Sequence, residues 1–263
     1  MDWQQSDVEL DGVGIHYYRR GSGRPLIMAH GFGDNGRCWT HVAKALENGF
    51  DIVAYDARSH GRSDDAPGPP DPSDSDIIKL SGALGMDRPV LLGHSMGAGS
   101  VAAAAAARPE LFACAVLEDP GWRTEAQAAQ PRPARRDFTS LSEAQLIEEA
   151  RKFGWHEDEL QPWAESKKQL RATTLPSTTS PAPDAWKNIV RRLASLPTLL
   201  ITGENARGSI VSAETAAEAQ RLNPRLEVAN IAGAGHNIRR DAFEPFMAAV
   251  RSFVERHAAS ATL

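Results

Sequence analysis

The most constraining stretch of this 263-residue chain is Gly93-His94-Ser95-Met96-Gly97, set between the apolar run Val90-Leu91-Leu92 and the alanine-rich run Val101–Ala107. The flanks read as buried strand and strong helix, so the five residues between them must form a tight turn. A serine at the apex of a strand-to-helix turn is held in a strained backbone conformation. The glycines beside it let neighbouring backbone pass without Cβ clashes. The helix behind the turn presents its first N–H groups, which favours negative charge developing there. The pattern predicts a nucleophilic Ser95.

The rest of the chain alternates in the same way. VELDGVGIHYYRRG reads as a hairpin around Asp11-Gly12, PLIMAHG and DIVAYDAR as short buried strands, and WTHVAKALENG as a helix stopped at Asn48-Gly49. A helix is expected over 75–84, and LFACAVLEDP is a further strand ended by Pro120. Short apolar runs separated by helical segments predict an α/β fold with βαβ units and a parallel sheet. From 121 to 193 the character changes to charge-rich helical patches, a basic cluster (Arg132, Arg135, Arg136) and a Ser/Thr/Pro stretch, with no strand pattern. PTLLITG and LEVANIAG then return as strands, and DAFEPFMAAVRSFVERHA as an amphipathic terminal helix.

Composition excludes several classes of function. A net charge of −5 gives no global basic face, so nucleic acid is not an expected partner. The longest apolar run, Val101–Ala107, falls far short of the roughly 20 residues that cross a bilayer, so no membrane partner is expected either. The start MDWQQSDVELDG has neither a basic nor an apolar region of a targeting segment, and a cytoplasmic location is expected. Two cysteines, Cys38 and Cys114, make no disulfide framework or thiolate metal site. No metal-ligand spacing or dinucleotide fingerprint is present, so neither metal nor cofactor is expected.

A serine nucleophile needs a base and donors for the oxyanion it creates. Of the eight histidines, His236 alone stands after the last strand, late in the chain and flanked by glycines (AGAGHN), and it is the expected base. His30-Gly31-Phe32-Gly33 directly follows a strand. The backbone N–H groups of Phe32 and of Met96 are the candidate oxyanion donors, with His30 orienting the loop.

HGFG, YDARSHGRSD, GHSMG, the Pro-Glu-Leu run into VLEDP, and GAGH, in this order, resemble the α/β-hydrolase superfamily over 8–121 and 197–258. The resemblance implies a mostly parallel central sheet flanked by helices, with a core of 1–120 and 194–263 and a helical cap of 121–193. It also implies the order nucleophile, acid, histidine. Ser59 stands where that pattern usually has glycine. Most members carry the acid as an aspartate after the strand equivalent to PTLLITG, but this chain reads GENARG there, with Glu204 as its carboxylate. Some members place the acid one strand earlier, which here means Asp119, with Glu118 beside it. Side chains alternate along a strand, so Glu118 and Asp119 cannot both face His236. Asp119 is the expected acid, with Glu204 and Glu118 as the alternatives.

Four of six tryptophans (Trp122, Trp155, Trp163, Trp186) fall in 121–193, where they either line a pocket or seat the cap. His30, Gly31 and Trp122 are the expected substrate-pocket residues. The expected function is cofactor-free hydrolysis of a small carboxylic ester or lactone, apolar or aromatic, through an acyl-enzyme on Ser95. Two alternatives stand beside it: C–C bond (diketone) hydrolysis or other acyl transfer on the same residues, and a non-catalytic ligand-binding receptor on this scaffold.

Overall fold

Apolar runs with little polar interruption become interior parallel strands, and that is how the middle of this chain folds. The computed structural model describes residues 2–65, 75–129, 138, 140–174 and 182–258. β1 (Gln4–Leu10) and β2 (Val13–Gly21) form the hairpin, with Asp11 and Gly12 both at positive φ as a two-residue primed turn demands. β2 lies antiparallel to β4 (Phe50–Tyr55). From there every pairing is parallel, through β3 (Arg24–Ala29), β5 (Val90–His94), β6 (Ala115–Glu118), β7 (Thr198–Thr202) and β8 (Leu226–Asn230). The eight strands run in the order β1-β2-β4-β3-β5-β6-β7-β8.

Alternation divides each strand between two apolar layers. Ile27 and Ala29 of β3 face one, Leu26 and Met28 the other. The first layer is covered by α2 (Ser75–Ala83), α3 (Met96–Ala107), α7 (Trp186–Arg192) and α8 (Ala213–Leu222). The second is covered by α1 (Thr40–Leu46) and α10 (Phe243–Ala258), with the short α9 (Ile238–Asp241) at its edge. α8 has no counterpart in the sequence reading. Its start is marked by Ser212, whose hydroxyl accepts from the Thr215 amide, and it buries Ala216 and Ala219.

Within 121–193 the described residues form helices and turns: α4 (Glu125–Ala128), α5 (Glu143–Lys152), α6 (Glu157–Lys168) and α7. Thr124 with Gln127, and Ser142 with Gln145, close reciprocal caps at the starts of α4 and α5. α5 and α6 enclose a third apolar cluster, in which Trp155 and Trp163 meet edge to face over Cys38. α7 belongs to the sheet: Trp186 and Val190 join the layer around α3, and Trp186 stacks on Trp122 at 5.3 Å. All four tryptophans are therefore buried in packing pairs. Arg132, Arg135 and Arg136 lie outside the described residues.

α3 reaches the sheet closely because its contact residues are small. A Cβ on Gly97 would lie 2.2 Å from the Ala29 carbonyl oxygen, and one on Gly93 2.5 Å from the Gly97 carbonyl oxygen. Both obstacles are backbone, so no side chain can turn aside. Gly97→Ala should therefore cost about 1–3 kcal/mol of unfolding free energy in urea, and Gly99→Ala, where a Cβ meets nothing within 4 Å, should be far milder.

Candidate active site

The turn between β5 and α3 puts Ser95 at φ 52°, ψ −111°, a conformation that L-residues avoid and that only an over-determined turn maintains. Its amide donates to the Glu118 carbonyl on β6 at 2.9 Å, and its carbonyl accepts from Gly99 in α3. The strand and the helix thus hold the strained residue from both sides.

His236 reaches Ser95 from the loop after β8. Its Nε2 lies 3.0 Å from Ser95 Oγ, and its Nδ1 lies 2.6 Å from Asp119 Oδ2. A carboxylate at Nδ1 fixes the tautomer: Nδ1 carries the proton and donates, and Nε2 is left to accept from the serine hydroxyl. The histidine loop is pinned from below. Glu204 Oε1 accepts from the Gly233 amide at 2.8 Å, and Asp241 Oδ2 from the Gly235 amide at 2.8 Å.

The three carboxylates weighed as the acid part company. Asp119, just past β6 at φ 40°, is fully buried. Besides His236 it accepts from Ser209 Oγ (2.8 Å), the Ile210 amide (2.8 Å) and the Val211 amide (2.9 Å). Glu118 points the other way and binds Arg239 through its backbone N–H (2.8 Å) and its guanidinium (3.0 Å). Burial pushes its carboxyl up, against the pull of Arg239. Glu204 braces the histidine loop. Arg207 is exposed and makes no ion pair among the described residues. The donors 209–211 carry no mark in the sequence, because two of the three are main-chain amides that any residue but proline supplies.

On the other side of Ser95 the loop 30–34 folds back under the serine. A Cβ on Gly31 would lie 2.5 Å from His94 Nδ1 and 3.5 Å from Ser95 Cβ, so only glycine lets the loop come this close. The Asp34 amide donates to the Gly31 carbonyl at 3.1 Å, and Gly33 has φ 74°, as the third position of a type II turn requires. Phe32 is the second residue of that turn, Met96 the first residue of α3. His30 accepts the Ala57 amide at Nε2 (3.0 Å) and donates from Nδ1 to the Gly31 carbonyl (2.8 Å), a loop-orienting part. Ser59, at φ 61°, sits in the left-handed region that explains the usual glycine, and its amide is held by the Asp64 carbonyl. Trp122 lies in the apolar layer against Trp186.

A buried ionic cluster behind this loop had no forewarning in the sequence. Asp34 Oδ2 meets Arg240 (3.0 Å) and Arg239 (3.5 Å), its Oδ1 meets Lys167 (2.8 Å), and Arg240 also binds Glu159 (2.8 Å). Burial pushes the Asp34 carboxyl up, but Arg240, Lys167 and Arg239 together hold it well below the usual carboxylate range. Elsewhere His41, His156 and Asp158 come near enough to share an ion. The two rings stack 3.9 Å apart and nearly parallel, so their lone pairs do not converge, and Asp158 is taken by Lys44 at 2.5 Å.

The model of the Alpha/beta hydrolase family matches residues 26–249. The chain belongs to the alpha/beta hydrolase family. Among its relatives it is 30% identical to the N-formylmaleamate deformylase of Pseudomonas putida, over 95% of this chain and 96% of that protein. It is 26% identical to the 2-(acetamidomethylene)succinate hydrolase of Mesorhizobium japonicum, over 94% of each. The fold is similar to the crystal structures of N-formylmaleamic acid deformylase from Pseudomonas putida S16 (TM-score 0.70, 24% identity, 94% of this chain and 100% of that one) and of E-2-(acetamidomethylene)succinate hydrolase (TM-score 0.74, 23% identity, 96% and 99%). Among the described residues no helix of this hydrolase is long and apolar enough to cross a membrane.

The buried histidines His30 and His94 carry a pH signature. Burial, with His60 beside it, pushes His30 down from 6.5 to about 3, and burial also holds His94 well below its usual value. The unfolded chain takes up the His30 proton near pH 6.5 while the folded one refuses it, so stability is lost as pH falls below 6.5. Between pH 7 and pH 5 the wild-type protein should lose about 2 kcal/mol more unfolding free energy than His30→Gln. Chemical denaturation at the two pH values reads this directly, and equal losses would show that His30 is protonated in the fold.

Proposed function

We propose that this chain is a serine hydrolase of small acyl compounds, working through an acyl-enzyme on Ser95. The observation that carries the reading is the continuous hydrogen-bonded series Ser95 Oγ, His236, Asp119, with a buried carboxylate at one end and a strained serine at the other. Ser95 Oγ attacks the acyl carbon while His236 Nε2 takes its proton, and Asp119 stabilises the imidazolium so formed. The Phe32 and Met96 amides receive the negative charge of the tetrahedral oxygen, and the field of the α3 N-terminus adds to them. His236 then protonates the leaving group. In the second half it draws a proton from water, the hydroxide displaces Ser95 from the acyl carbon, and the serine recovers its proton. The site is open to solvent at the histidine, whose side chain keeps 30% of its surface exposed.

For the bond cleaved, an acyl group carried on nitrogen, in a molecule that also bears a carboxylate, takes precedence over the ester or lactone expected from sequence. Two relatives that align over more than nine-tenths of this chain are named for such substrates, N-formylmaleamate and 2-(acetamidomethylene)succinate. Ester and lactone hydrolysis is the second reading, since the same groups act on the better leaving group. The substrate is a small molecule in either case, and the residues named perform every step without a cofactor.

Ser95→Ala should lower kcat/KM on p-nitrophenyl acetate by at least about 10⁴-fold with an unchanged circular dichroism spectrum, and Asp119→Asn by a similar factor. A fluorophosphonate should label Ser95 in the wild type only. Comparing N-formyl and N-acetyl carboxylic amides with matched esters and lactones decides the bond. A higher kcat/KM on the amides supports the first choice, and activity confined to esters or lactones reverses it. An unlabelled serine with no turnover would favour the receptor.

A further inference from the structure

The loop carrying the Phe32 amide is not held by the sheet alone. Lys167, in the last turn of α6, lays its ammonium on the Gly33 carbonyl oxygen at 2.6 Å and on Asp34 Oδ1 at 2.8 Å. Its side chain is 8% exposed, and the ammonium is walled in by the Trp163 ring, 5.2 Å from the centroid. Glu165 in α6 and the residues just past its end join it. Gln169 accepts from Asn35 at 2.9 Å, Glu165 pairs with Arg37, and Leu170 would touch a Cβ on Gly33 at 3.6 Å. The last turn of α6 and the residue that caps it thus grip the loop at 33–37 by three side chains, Glu165, Lys167 and Gln169.

The position of the grip matters. The turn 31–34 closes through Gly31 and Asp34, and Phe32 occupies its second position, whose amide the turn's own hydrogen bond does not use. That amide shares its peptide plane with the Gly31 carbonyl, which accepts from the Asp34 amide, so its orientation follows from the Gly33–Asp34 peptide across the turn. Gly33, at φ 74°, has no side chain to resist rotation. A charged donor on its carbonyl fixes the Gly33–Asp34 peptide, and the same ammonium anchors the next side chain. The cation is buried, so its field is weakly screened.

We propose that Lys167 is a positioning residue, which aims the Phe32 amide at the oxyanion by clamping the Gly33 carbonyl, and so makes the reaction depend on the seating of α6. This rests on the serine-hydrolase reading above. It adds that the helical segment contributes to transition-state stabilisation, besides whatever it contributes to substrate binding.

The test uses Lys167→Met, which keeps the stem and removes the donors, and leaves Asp34 its arginine partners. Active sites are counted by fluorophosphonate labelling. Two quantities are then read: kcat/KM per site on p-nitrophenyl acetate, and the Ki of an alkyl trifluoromethyl ketone. Ser95 Oγ adds to the carbon of that ketone, its proton passes to His236, and the ketone oxygen becomes the oxyanion. The variant should lose about 10- to 100-fold in kcat/KM, with Ki rising by the same factor. Lys167→Gln, which retains one neutral donor, should show both shifts at about threefold. A purely structural role would reduce the number of sites and leave Ki per site unmoved, which overturns the proposal, as does an unchanged kcat/KM. If Lys167→Met does not fold, Lys167→Gln decides by the same criterion. A wild type that hydrolyses nothing and binds no ketone overturns the Ser95 reading and this inference with it. An active wild type with an indifferent Lys167 overturns this inference alone.

Discussion

Four donors converge on one buried carboxylate, and much of the architecture around the site can be read as what brings them there. Asp119 leaves the end of β6 at a positive φ, which turns its side chain toward the crevice at the carboxyl ends of the strands. Three donors come from the loop after β7 and the fourth from the histidine loop after β8. Three adjacent parallel strands must therefore end at the same level and in register for the constellation to exist. An ionised carboxylate is costly to bury unless its lone pairs are occupied, and this one is occupied by groups that also fix its direction. The rigidity passed to His236 is the same rigidity that keeps Nε2 on the serine.

Charge is distributed with a consistent logic around this point. Adjacent carboxylates at the end of β6 face opposite ways, Asp119 to the histidine and Glu118 to Arg239. Arg239 also lies over the Trp39 ring and beside Asp34, so that one guanidinium connects the β6 end to the loop beneath the serine. Removing Arg239 would strand the buried Glu118 carboxylate, a loss of about 3–5 kcal/mol. The cluster therefore acts as a set of constraints more than as a source of net stability.

What was legible in the sequence was what short-range chemistry writes into it. Gly93–Gly97 between strand and helix, the glycines around His236 and the hairpin at Asp11-Gly12 each follow from local steric demands, and each appears at the expected place in the chain. Asp119 is the expected acid from the resemblance, but Glu118 and Glu204 stand beside it as alternatives because alternation along a strand excludes one of two neighbours without saying which. Lys167, Asp34 and Arg240 were invisible as a group, since their meeting depends on how α6 docks, more than a hundred residues after the loop it touches. The tryptophans could be located in one segment, but their pairing, Trp122 with Trp186 and Trp155 with Trp163, is a property of packing alone. α8 went unread although Ser212 marks its start.

The cradle at 209–211 has a consequence for how such a chain can drift. Two of its donors, on Ile210 and Val211, are main-chain amides, indifferent to the side chains that carry them. Natural variation at these two positions is therefore restrained by the fit of their side chains and not by the hydrogen bonds themselves, with proline as the substitution that removes a donor outright. A deep mutational profile would show there two positions closed to proline, Ile210 otherwise tolerant and the buried Val211 confined to apolar side chains that fit. Comparison of sequences alone would pass over them, although they hold the carboxylate that orients the histidine.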